Sequence, residues 1–445
     1  MKKSDKESVR EHTKETKKLS TDPYVGVRDF YPEDMAVQQY IFDTWSKTAE
    51  SFGFARYDAS TLEPSELYKS KGSENEELVN EQTYTFTDRG DREVTLRPEM
   101  TPSVARMVAG KRRELTFPLR WYSIPNLFRY ERKQRGRVRE HWQLNCDIFG
   151  TYAEAADIEI ILLASSILKA FGAQDADFEI KINSRKLWNS LCSSWALIES
   201  QKKELSGLVD RKNKLEKKEF EEKAEKIFAG KETLQKFLSV MSLAPGEELP
   251  RTLTQNTEYE ELMVVQSRLE ALGVTNVSYD PTIMRGFDYY TGTIFELFDT
   301  DPANRRSLLG GGRYDNLTEL FGGDPIPAVG FGMGDVTMRD FLETHKLLPK
   351  ELQRIDLAII PQNILFANDA EKIAQTFRAH GCSVYVSLSD KKIGDHIKAA
   401  ESRHTAHILV FGEHESLSET YTLKRLSDGK ETAGSLKELV SEIKS

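Results

Sequence analysis

Cysteine is scarce in this chain: only Cys146, Cys192 and Cys382 occur among 445 residues. Their wide spacing forms no metal-ligand pattern and no disulfide framework, which indicates a reducing compartment. Long hydrophobic runs are also missing, since no apolar stretch approaches the roughly 20 residues that a membrane span requires. An excess of positive charge is lacking too, because the net charge is −9 at pH 7. Any contact with nucleic acid must therefore come from a local basic patch.

The N-terminal segment is charged and almost free of large apolar side chains. Residues 1–20 contain seven Lys or Arg and four Asp or Glu. The missing hydrophobic segment argues against a secretory signal, and the four acids argue against an organelle transit peptide. We predict a disordered tail on a cytoplasmic protein. With 445 residues, of which 39% are hydrophobic, the rest can form two or three domains with separate cores.

The strongest feature present is a basic turn between residues 128 and 143, where five arginines and a lysine surround Gly136. Residues 142–148 alternate between apolar and polar positions, as in a strand with one buried face. Guanidinium groups match the geometry of phosphate oxygens. Six like charges would repel one another unless an anion lay among them. We interpret the hairpin as a polyphosphate site, and a solvated amphipathic hairpin is the alternative.

Two further segments have unusual local patterns. Thr101 and Pro102 suit the N-cap and first position of a helix, which places Glu99 beside a helix N-terminus. There Glu99 could complement the helix dipole or bind a ligand. In residues 328–334 glycines alternate with larger residues, so one face of a strand would be bare backbone. This indicates close approach by a ligand or by another backbone.

Composition divides the remainder of the chain. Residues 186–270 contain a Lys- and Glu-rich run with a sparse apolar stripe, typical of helices with a thin core and a solvated face. Residues 346–354 read as a linker. Beyond them, apolar strands alternate with helical segments, which predicts a small α/β domain with a largely parallel sheet.

These segments, in this order, resemble the histidyl-tRNA synthetase family of class II aminoacyl-tRNA synthetases over roughly residues 22–440. The first, second and third class motifs resemble 26–32, 128–150 and 328–334. Specific to the histidine family are 285–290 (Arg-Gly-Phe-Asp-Tyr-Tyr) and 311–315 (Gly-Gly-Arg-Tyr-Asp), while 96–99 (Leu-Arg-Pro-Glu) is shared with near relatives.

The resemblance implies an α+β fold: a class II antiparallel-sheet catalytic domain with a helical insertion, and a C-terminal α/β anticodon-binding domain. The expected division is a disordered charged tail at 1–21, catalytic domain at 22–185 and 271–345, helical insertion at 186–270, linker at 346–354 and anticodon-binding domain at 355–445.

The implied reaction is ATP-dependent activation of histidine to histidyl-adenylate with release of pyrophosphate, followed by transfer to the 3′ end of tRNA(His). The implied partners are histidine, ATP with Mg²⁺, tRNA(His) and a second copy in a homodimer, with no membrane. Arg129 and Arg285 would be catalytic, because fixed cations stabilise charge at the ATP α-phosphate. In this family Arg285 would do work that a metal ion does in many relatives.

The resemblance also implies three sets of binding residues. The histidine-binding set is Glu99, Thr101, Arg129, Gln143, Asp147, Arg285, Tyr289 and Tyr290. The ATP-binding set is Arg129, Glu131, Arg137 and His141, with Glu131 facing the adenine or a phosphate-bound Mg²⁺. The set for the tRNA acceptor end is Arg132, Gln134 and Arg135.

The chain departs from the family at three positions. Asp147 stands where glutamate is usual, and His141 replaces a commoner phenylalanine but can still stack on adenine. Thr337 occupies the place of the third-motif arginine that stacks on adenine and touches the γ-phosphate. Arg339, two residues on, is turned by about 200° on a helix and cannot substitute for it.

Arg313 is our sequence candidate for the missing cation at the nucleotide. It follows three glycines that would let the backbone approach ATP, and it lies in the same half of the catalytic domain. The alternative is that Arg313 only braces the glycine-rich turn through Asp315.

Two other functions compete with the synthetase. A non-catalytic regulator that binds histidine or uncharged tRNA would explain the lost arginine at 337, but Arg129, Arg137 and Arg285 and the C-terminal domain argue against it. A synthetase for another amino acid, such as proline or threonine, is disfavoured by the two tyrosines that end the segment 285–290.

Overall fold

The computed structural model describes the chain from residue 19 to residue 444, with several gaps. The described residues are 19–69, 82–132, 136–212, 215–244, 247, 249, 256–284, 289–304, 306–351, 354–389 and 391–444. Most of the predicted charged tail therefore lies outside them. The chain divides into two compact units: residues up to 29 with 47–341, and 30–46 with 342–445.

The first unit contains a large sheet and a small one. Its strands are β1 (Ala55–Arg56), β2 (Leu62–Pro64), β3 (Tyr84–Thr87), β4 (Glu93–Leu96), β5 (Leu119–Ser123), β6 (Asn126–Phe128), β7 (Glu140–Phe149), β8 (Phe178–Ser184), β9 (Val277–Tyr279), β10 (Thr293–Asp299), β11 (Ser307–Arg313) and β12 (Ala328–Gly334). Within the described residues the large sheet has the order β1-β5-β7-β12-β11-β10-β8-β9, with β6 paired to β7, and β2-β4-β3 form the small sheet. From β5 to β8 each neighbouring pair is antiparallel, so the predicted fold class is confirmed.

Strand β7, inside the large sheet, has polar side chains on a buried face. The predicted alternation holds: Leu144, Cys146 and Ile148 are buried on one face. Asn145 and Asp147, on the opposite face, are also only 5% and 4% exposed. The polar face therefore points into the protein, where buried polar groups require partners.

The helices of the first unit pack on the sheet or form the segment between β8 and β9. They are Glu66–Lys69, Thr101–Lys111, Glu154–Ala170, Arg185–Ser194, Glu199–Asp210, Lys217–Ile227, Lys231–Met241 and Thr257–Ala271, while Pro32–Ser51 and Asp335–Thr344 cross the unit boundaries. Glu154–Ala170 has apolar side chains all around its axis and ten buried residues, as expected of a helix within a core.

The Lys- and Glu-rich segment has the thin core that its sequence suggests. Trp195, Phe228 and Phe237 form an aromatic cluster with ring centroids 5.2 to 6.1 Å apart. The charged residues lie outside it, and Lys223 Nζ is 2.7 Å from Glu219 Oε1, an i,i+4 pair on one helix.

The helix that follows Glu99 begins one residue earlier than the sequence suggests. It runs from Thr101 to Lys111, its N-cap is Met100, and no side chain caps it. The prediction of Thr101 as N-cap is therefore wrong. Because Thr101 is the first helical residue, its hydroxyl is not used for capping.

The second unit is a five-stranded sheet with helices on it, together with the first part of the helix Pro32–Ser51. Its strands are β13 (Ile355–Pro361), β14 (Val384–Val386), β15 (Thr405–Phe411), β16 (Tyr421–Arg425) and β17 (Glu431–Gly434), in the order β14-β13-β15-β16-β17. Its helices are Ala367–Ala379, Ile393–Ser402, Glu413–Ser418 and Leu436–Lys444. Strands β14, β13 and β15 are parallel, as predicted, and β16 and β17 add an antiparallel hairpin. Among the described residues no helix is both long enough and apolar enough to span a bilayer.

Candidate active site

The glycines of β12 make room for side chains of the neighbouring strand β7. Gly330 is paired directly with Asp147 in the sheet. A Cβ added at Gly330 would overlap the Asp147 carboxylate, and one added at Gly332 would overlap the Gln143 amide. The close approach predicted from the alternating glycines is therefore made by polar side chains of β7. Asp147 and Gln143 lie over bare backbone in the centre of the sheet.

A small polar chamber covers this part of the sheet. Tyr314 donates its hydroxyl proton to the Asp147 carboxylate, and Tyr289 Oη is 3.4 Å from Glu99 Oε2. The rings of Tyr289 and Tyr290 lie 4.9 Å apart between centroids. The chamber is lined by Glu99, Thr101, Arg129, Gln143, Asn145, Asp147, Tyr289, Tyr290 and Tyr314, with glycines 310, 330 and 332 and Phe331.

The acidity of Asp147 is strongly perturbed in the chamber. Burial raises the pKa of its carboxyl from 3.8 to about 7, although the hydrogen bond from Tyr314 favours the anion and lowers the pKa. Near neutral pH the group is therefore balanced between its acid and anion forms. A ligand that brings an N–H donor would shift that balance toward the carboxylate.

A larger cavity of about 460 Å³ adjoins the chamber and is rich in arginine. Arg137 Nε is 3.1 Å from Glu131 Oε2, and Arg129 Nε donates a hydrogen bond of 2.8 Å to the carbonyl oxygen of Pro98. Burial lowers the pKa of the Arg129 guanidinium, while Glu99 and Glu131 oppose that shift. The acidic residues and arginines that line the cavity are Arg129, Glu131, Arg137, Glu296 and Arg306.

His141 also lines the larger cavity, as a neutral ring. Burial lowers the pKa of its imidazole to about 3, and the positive charges of Arg129 and Arg28 lower it further. The ring is uncharged at physiological pH and can stack on an aromatic base without adding to the cationic charge.

The two cavities share part of their walls. Arg129, Gln143, Gly310 and Gly332 line both. A ligand in the small chamber and a ligand in the larger cavity would therefore meet beside the Arg129 guanidinium. Such an arrangement can join a small polar molecule to a polyphosphate and stabilise negative charge at the junction.

The structure brings together most of the residues that the sequence singled out. Those that line one or both cavities are Glu99, Thr101, Arg129, Glu131, Arg137, His141, Gln143, Asp147, Tyr289 and Tyr290. Arg132 is exposed on the hairpin and lines neither cavity. The remaining predicted residues, Gln134, Arg135 and Arg285, lie outside the described residues.

Arg313 lies elsewhere, which corrects its placement at the nucleotide. Its guanidinium forms a buried ion pair with Asp157, and Nη1 donates a hydrogen bond of 2.9 Å to the Thr151 carbonyl. Nη1 is also 3.4 Å from Asp315 Oδ1. These partners hold the side chain in the protein interior, so the alternative interpretation of Arg313 as a brace fits the contacts.

Three acidic, basic or phenolic residues of the two cavities were missed by the sequence analysis: Tyr314, Arg306 and Glu296. Tyr314 stands within the glycine-rich segment quoted for the family, but its contact with Asp147 joins residues 167 positions apart. Arg306 lines the larger cavity just before β11. Its only signal in the sequence is a pair of arginines ahead of an apolar run, which is common on protein surfaces.

The sheet is antiparallel, and two joined cavities lie between an arginine-rich hairpin and a strand whose glycines leave one face without side chains. This combination defines a class II aminoacyl-tRNA synthetase. The family model for histidyl-tRNA synthetase matches residues 26–335, and the model for the anticodon binding domain matches residues 356–445. The chain belongs to the histidyl-tRNA synthetase family, which confirms the resemblance seen in the sequence.

Individual relatives agree with the family models. A histidine–tRNA ligase of Leptospira biflexa is 40% identical over 433 residues, covering 96% of this chain and 98% of the relative. One of Thermoplasma volcanium is 38% identical, covering 93% and 96%. The crystal structure of histidyl-tRNA synthetase from Nostoc sp. superposes with a TM-score of 0.82 over 96% of this chain and 99% of that one, at 24% identity, and supports the fold.

Proposed function

We propose that the chain is a histidine–tRNA ligase, which activates histidine with ATP and transfers it to the 3′ end of tRNA(His). The observation that carries this proposal is the junction of the two cavities at Arg129 and Gln143. The small chamber offers carboxylates, phenols and an amide to an amino acid. The larger cavity offers guanidinium groups to a polyphosphate.

The first step joins the two ligands at the shared wall. A carboxylate oxygen of histidine attacks the α-phosphorus of ATP, the bond to the β-phosphate breaks, and pyrophosphate leaves. Arg129 contacts the developing charge on the α-phosphate oxygens and stabilises it without needing to reorganise. By family resemblance Arg285, outside the described residues, assists at the same phosphate. In the second step a ribose hydroxyl of the tRNA attacks the acyl carbon and AMP leaves.

Histidine recognition rests on the chamber's polar groups. A neutral imidazole has one donor and one acceptor nitrogen. The Asp147 carboxylate accepts the N–H of the imidazole, and Tyr290 borders the ring. Glu99 and Thr101 bind the α-ammonium group, and Gln143 lies near the substrate's carboxylate.

The larger cavity fits ATP with its metal ion. Arg137 binds the terminal phosphates and His141 stacks on adenine. Mg²⁺ is commonly held by one or two carboxylates together with substrate phosphates and water. Glu131, with Glu296 in the same lining, fits that requirement. When bound, the ion would neutralise phosphate charge. In the described part of the chain no group of three or more His, Cys, Asp or Glu is arranged to hold a metal ion by itself.

Pyrophosphate exchange tests the proposed activity. Exchange of labelled pyrophosphate into ATP should require histidine, and histidinol should inhibit it competitively. A rate that is unaffected by omitting histidine would contradict the proposal. Histidine binding without exchange would instead indicate the regulator considered above, which the ligase relatives do not favour.

We also propose the tRNA contacts that the family resemblance implies. Residues 355–445 bind the anticodon, the helical insertion at 186–270 touches the acceptor arm, and Arg132, Gln134 and Arg135 meet the acceptor end. Termination before Arg354 should leave histidine-dependent pyrophosphate exchange intact but cripple tRNA charging. Retained exchange serves as the control that the shortened chain is folded. Charging at an unchanged kcat/KM would refute the assignment of residues 355–445.

A homodimer is proposed from the first class motif and the helix Pro32–Ser51 that follows it. Tyr31 and Met35 are 69% and 42% exposed there and could be covered by a second copy of the chain. Light scattering should give twice the chain mass of 50.8 kDa. A mass of 50.8 kDa at micromolar concentration would contradict the dimer.

The proposed location is the cytoplasm, with no membrane partner, because charged tRNA is consumed by translation there. Fractionation of cells that express a tagged copy should recover the chain in the soluble cytosolic fraction. Recovery in the membrane fraction would contradict this location.

A further inference from the structure

Arg306 is a cavity residue to which the family resemblance assigns no role. It lies directly before β11, is partly buried, and lines the larger cavity together with Arg129 and Arg137. Burial lowers the pKa of its guanidinium, and the positive charge of Arg137 lowers it further while Glu131 opposes both. Arg306 therefore belongs to the same electrostatic cluster as the Arg137–Glu131 pair.

The hairpin turn has a glycine at the point where the Arg306 side chain lies against it. Gly136 has a φ of +72°, and a Cβ added there would lie 2.7 Å from Arg306 Cδ and 3.3 Å from its Nε. Such a distance to Cδ is shorter than real Cβ contacts allow. The absence of a side chain at Gly136 thus brings the guanidinium of Arg306 next to the phosphate-binding hairpin.

Thr337 lies beside the same point. Its Cγ2 is 3.7 Å from the position of a Cβ on Gly136, and its hydroxyl donates to the carbonyl oxygens of Leu308 and Gly334, each at 3.3 Å. A short side chain at 337 therefore leaves space next to Gly136 that the longer Arg306 uses. An arginine at 337 would compete with Arg306 for that space and would add a like charge.

The positive charge of the arginines in the larger cavity favours binding of an anion. Three guanidinium groups, from Arg129, Arg137 and Arg306, line it with the carboxylates of Glu131 and Glu296. Partly desolvated cations are stabilised when further anionic oxygens bind, and a guanidinium can bind two phosphate oxygens at once. The position of Arg306 beside Arg137 directs it to the phosphates farthest from the histidine chamber.

We propose that Arg306 binds the terminal phosphates of ATP beside Arg137 and supplies the positive charge that Thr337 cannot supply. The proposal rests on the function given above, and it replaces Arg313 as the compensating arginine. Arg306 then helps to hold pyrophosphate in line as it leaves, on the opposite side of the α-phosphate from the attacking carboxylate.

Kinetics of the full chain test this role. In the exchange assay Arg306→Gln should raise the KM for ATP by roughly 10- to 100-fold, the usual effect of losing a charged hydrogen bond. The KM for histidine should change little. The control is Arg92→Gln, since Arg92 is exposed and pairs only with Asp88 in the contacts described for it. An unchanged KM for ATP in Arg306→Gln, with the melting temperature preserved, would overturn the proposal.

Binding measurements without catalysis show which phosphates Arg306 contacts, independently of the reaction. Calorimetry should show that Arg306→Gln weakens binding of ATP far more than binding of AMP, which lacks the terminal phosphates. Equal weakening of both nucleotides would overturn the assignment to those phosphates. This comparison holds even if the wild-type chain shows no histidine-dependent exchange, an outcome that would contradict only the proposed reaction.

A compensating variant tests the shared space. Thr337→Arg in the Arg306→Gln background should recover part of the lost ATP affinity, because the new guanidinium can enter the space beside Gly136. Thr337→Arg alone should weaken ATP binding through crowding and repulsion. If the double variant binds ATP no better than Arg306→Gln at a matching melting temperature, an arginine at 337 cannot replace Arg306 and the shared space is refuted.

Discussion

Replacing Asp147 with asparagine should cripple histidine activation and yet make the protein more stable at alkaline pH. Activation falls because the amide cannot supply the anionic acceptor for the imidazole N–H. Loss of a charged hydrogen bond in a buried site predicts a decrease of about 10²-fold in kcat/KM for histidine. The KM for ATP should change little, since Asp147 lines only the small chamber.

The gain in stability follows from the buried charge. The folded protein holds the pKa of Asp147 at about 7, above the unfolded value of 3.8. The folded state therefore binds the proton more tightly, and the stability associated with it is lost as the pH rises from about 4 through 7. At pH 8 this loss is at most roughly 4 kcal/mol. The asparagine side chain carries no charge, so the variant escapes the loss.

Thermal unfolding between pH 4 and pH 8.5 measures the effect. The melting temperature of Asp147→Asn should exceed that of the wild type at pH 8, and the difference should shrink as the pH approaches 4. Asp147→Glu is the matched control, because it keeps the carboxylate and is the residue usual in the family. It should retain histidine-dependent exchange. If the asparagine variant activates histidine normally, the role of Asp147 is refuted.

Arg313→Ala should have the second large effect, on stability. The substitution leaves the Asp157 carboxylate, which is 3% exposed, without its guanidinium partner in the interior. Breaking a buried ion pair from one side typically costs about 3–5 kcal/mol, so denaturant unfolding should show a loss of that size. The KM for ATP should be unchanged at temperatures where the variant is folded, because Arg313 does not line the larger cavity proposed for ATP.

A double variant separates the ion pair from other effects. Adding Asp157→Ala to Arg313→Ala should recover part of the lost stability, because the unpaired carboxylate is removed. A raised KM for ATP with unchanged stability in Arg313→Ala would restore the interpretation of Arg313 as a nucleotide ligand and would also argue against Arg306.

Much of the architecture was predictable because its signals are local. Alternation along 142–148 identifies β7, and alternating helices and strands identify the sheet of residues 355–445. The arginine-rich turn predicts a phosphate site before any fold is known, and the glycines of 328–334 predict the close approach that the Asp147 and Gln143 side chains make. The boundaries were less predictable: Thr101 begins a helix rather than capping it, since capping depends on the backbone of Met100.

The direction of individual side chains was not predictable in the same way. Arg313 could have faced ATP or the interior, and it faces Asp157, which is 156 positions away in the chain. Arg306 lies against the turn at Gly136, at a similar separation in the chain, and no local sequence pattern predicts that contact.

The sequence by itself determined the class of fold and the kind of chemistry, because periodicity, glycine spacing and clustered charge act over a few neighbouring residues, and its motifs identified the family by resemblance. The tertiary structure alone decided which arginines line the larger cavity and which carboxylate accepts the hydrogen bond of the Tyr314 hydroxyl. Those residues lie on strands, or directly beside strands, that are far apart in the chain. Their meeting depends on the register between β7, β12 and β11, which becomes defined only when the sheet assembles.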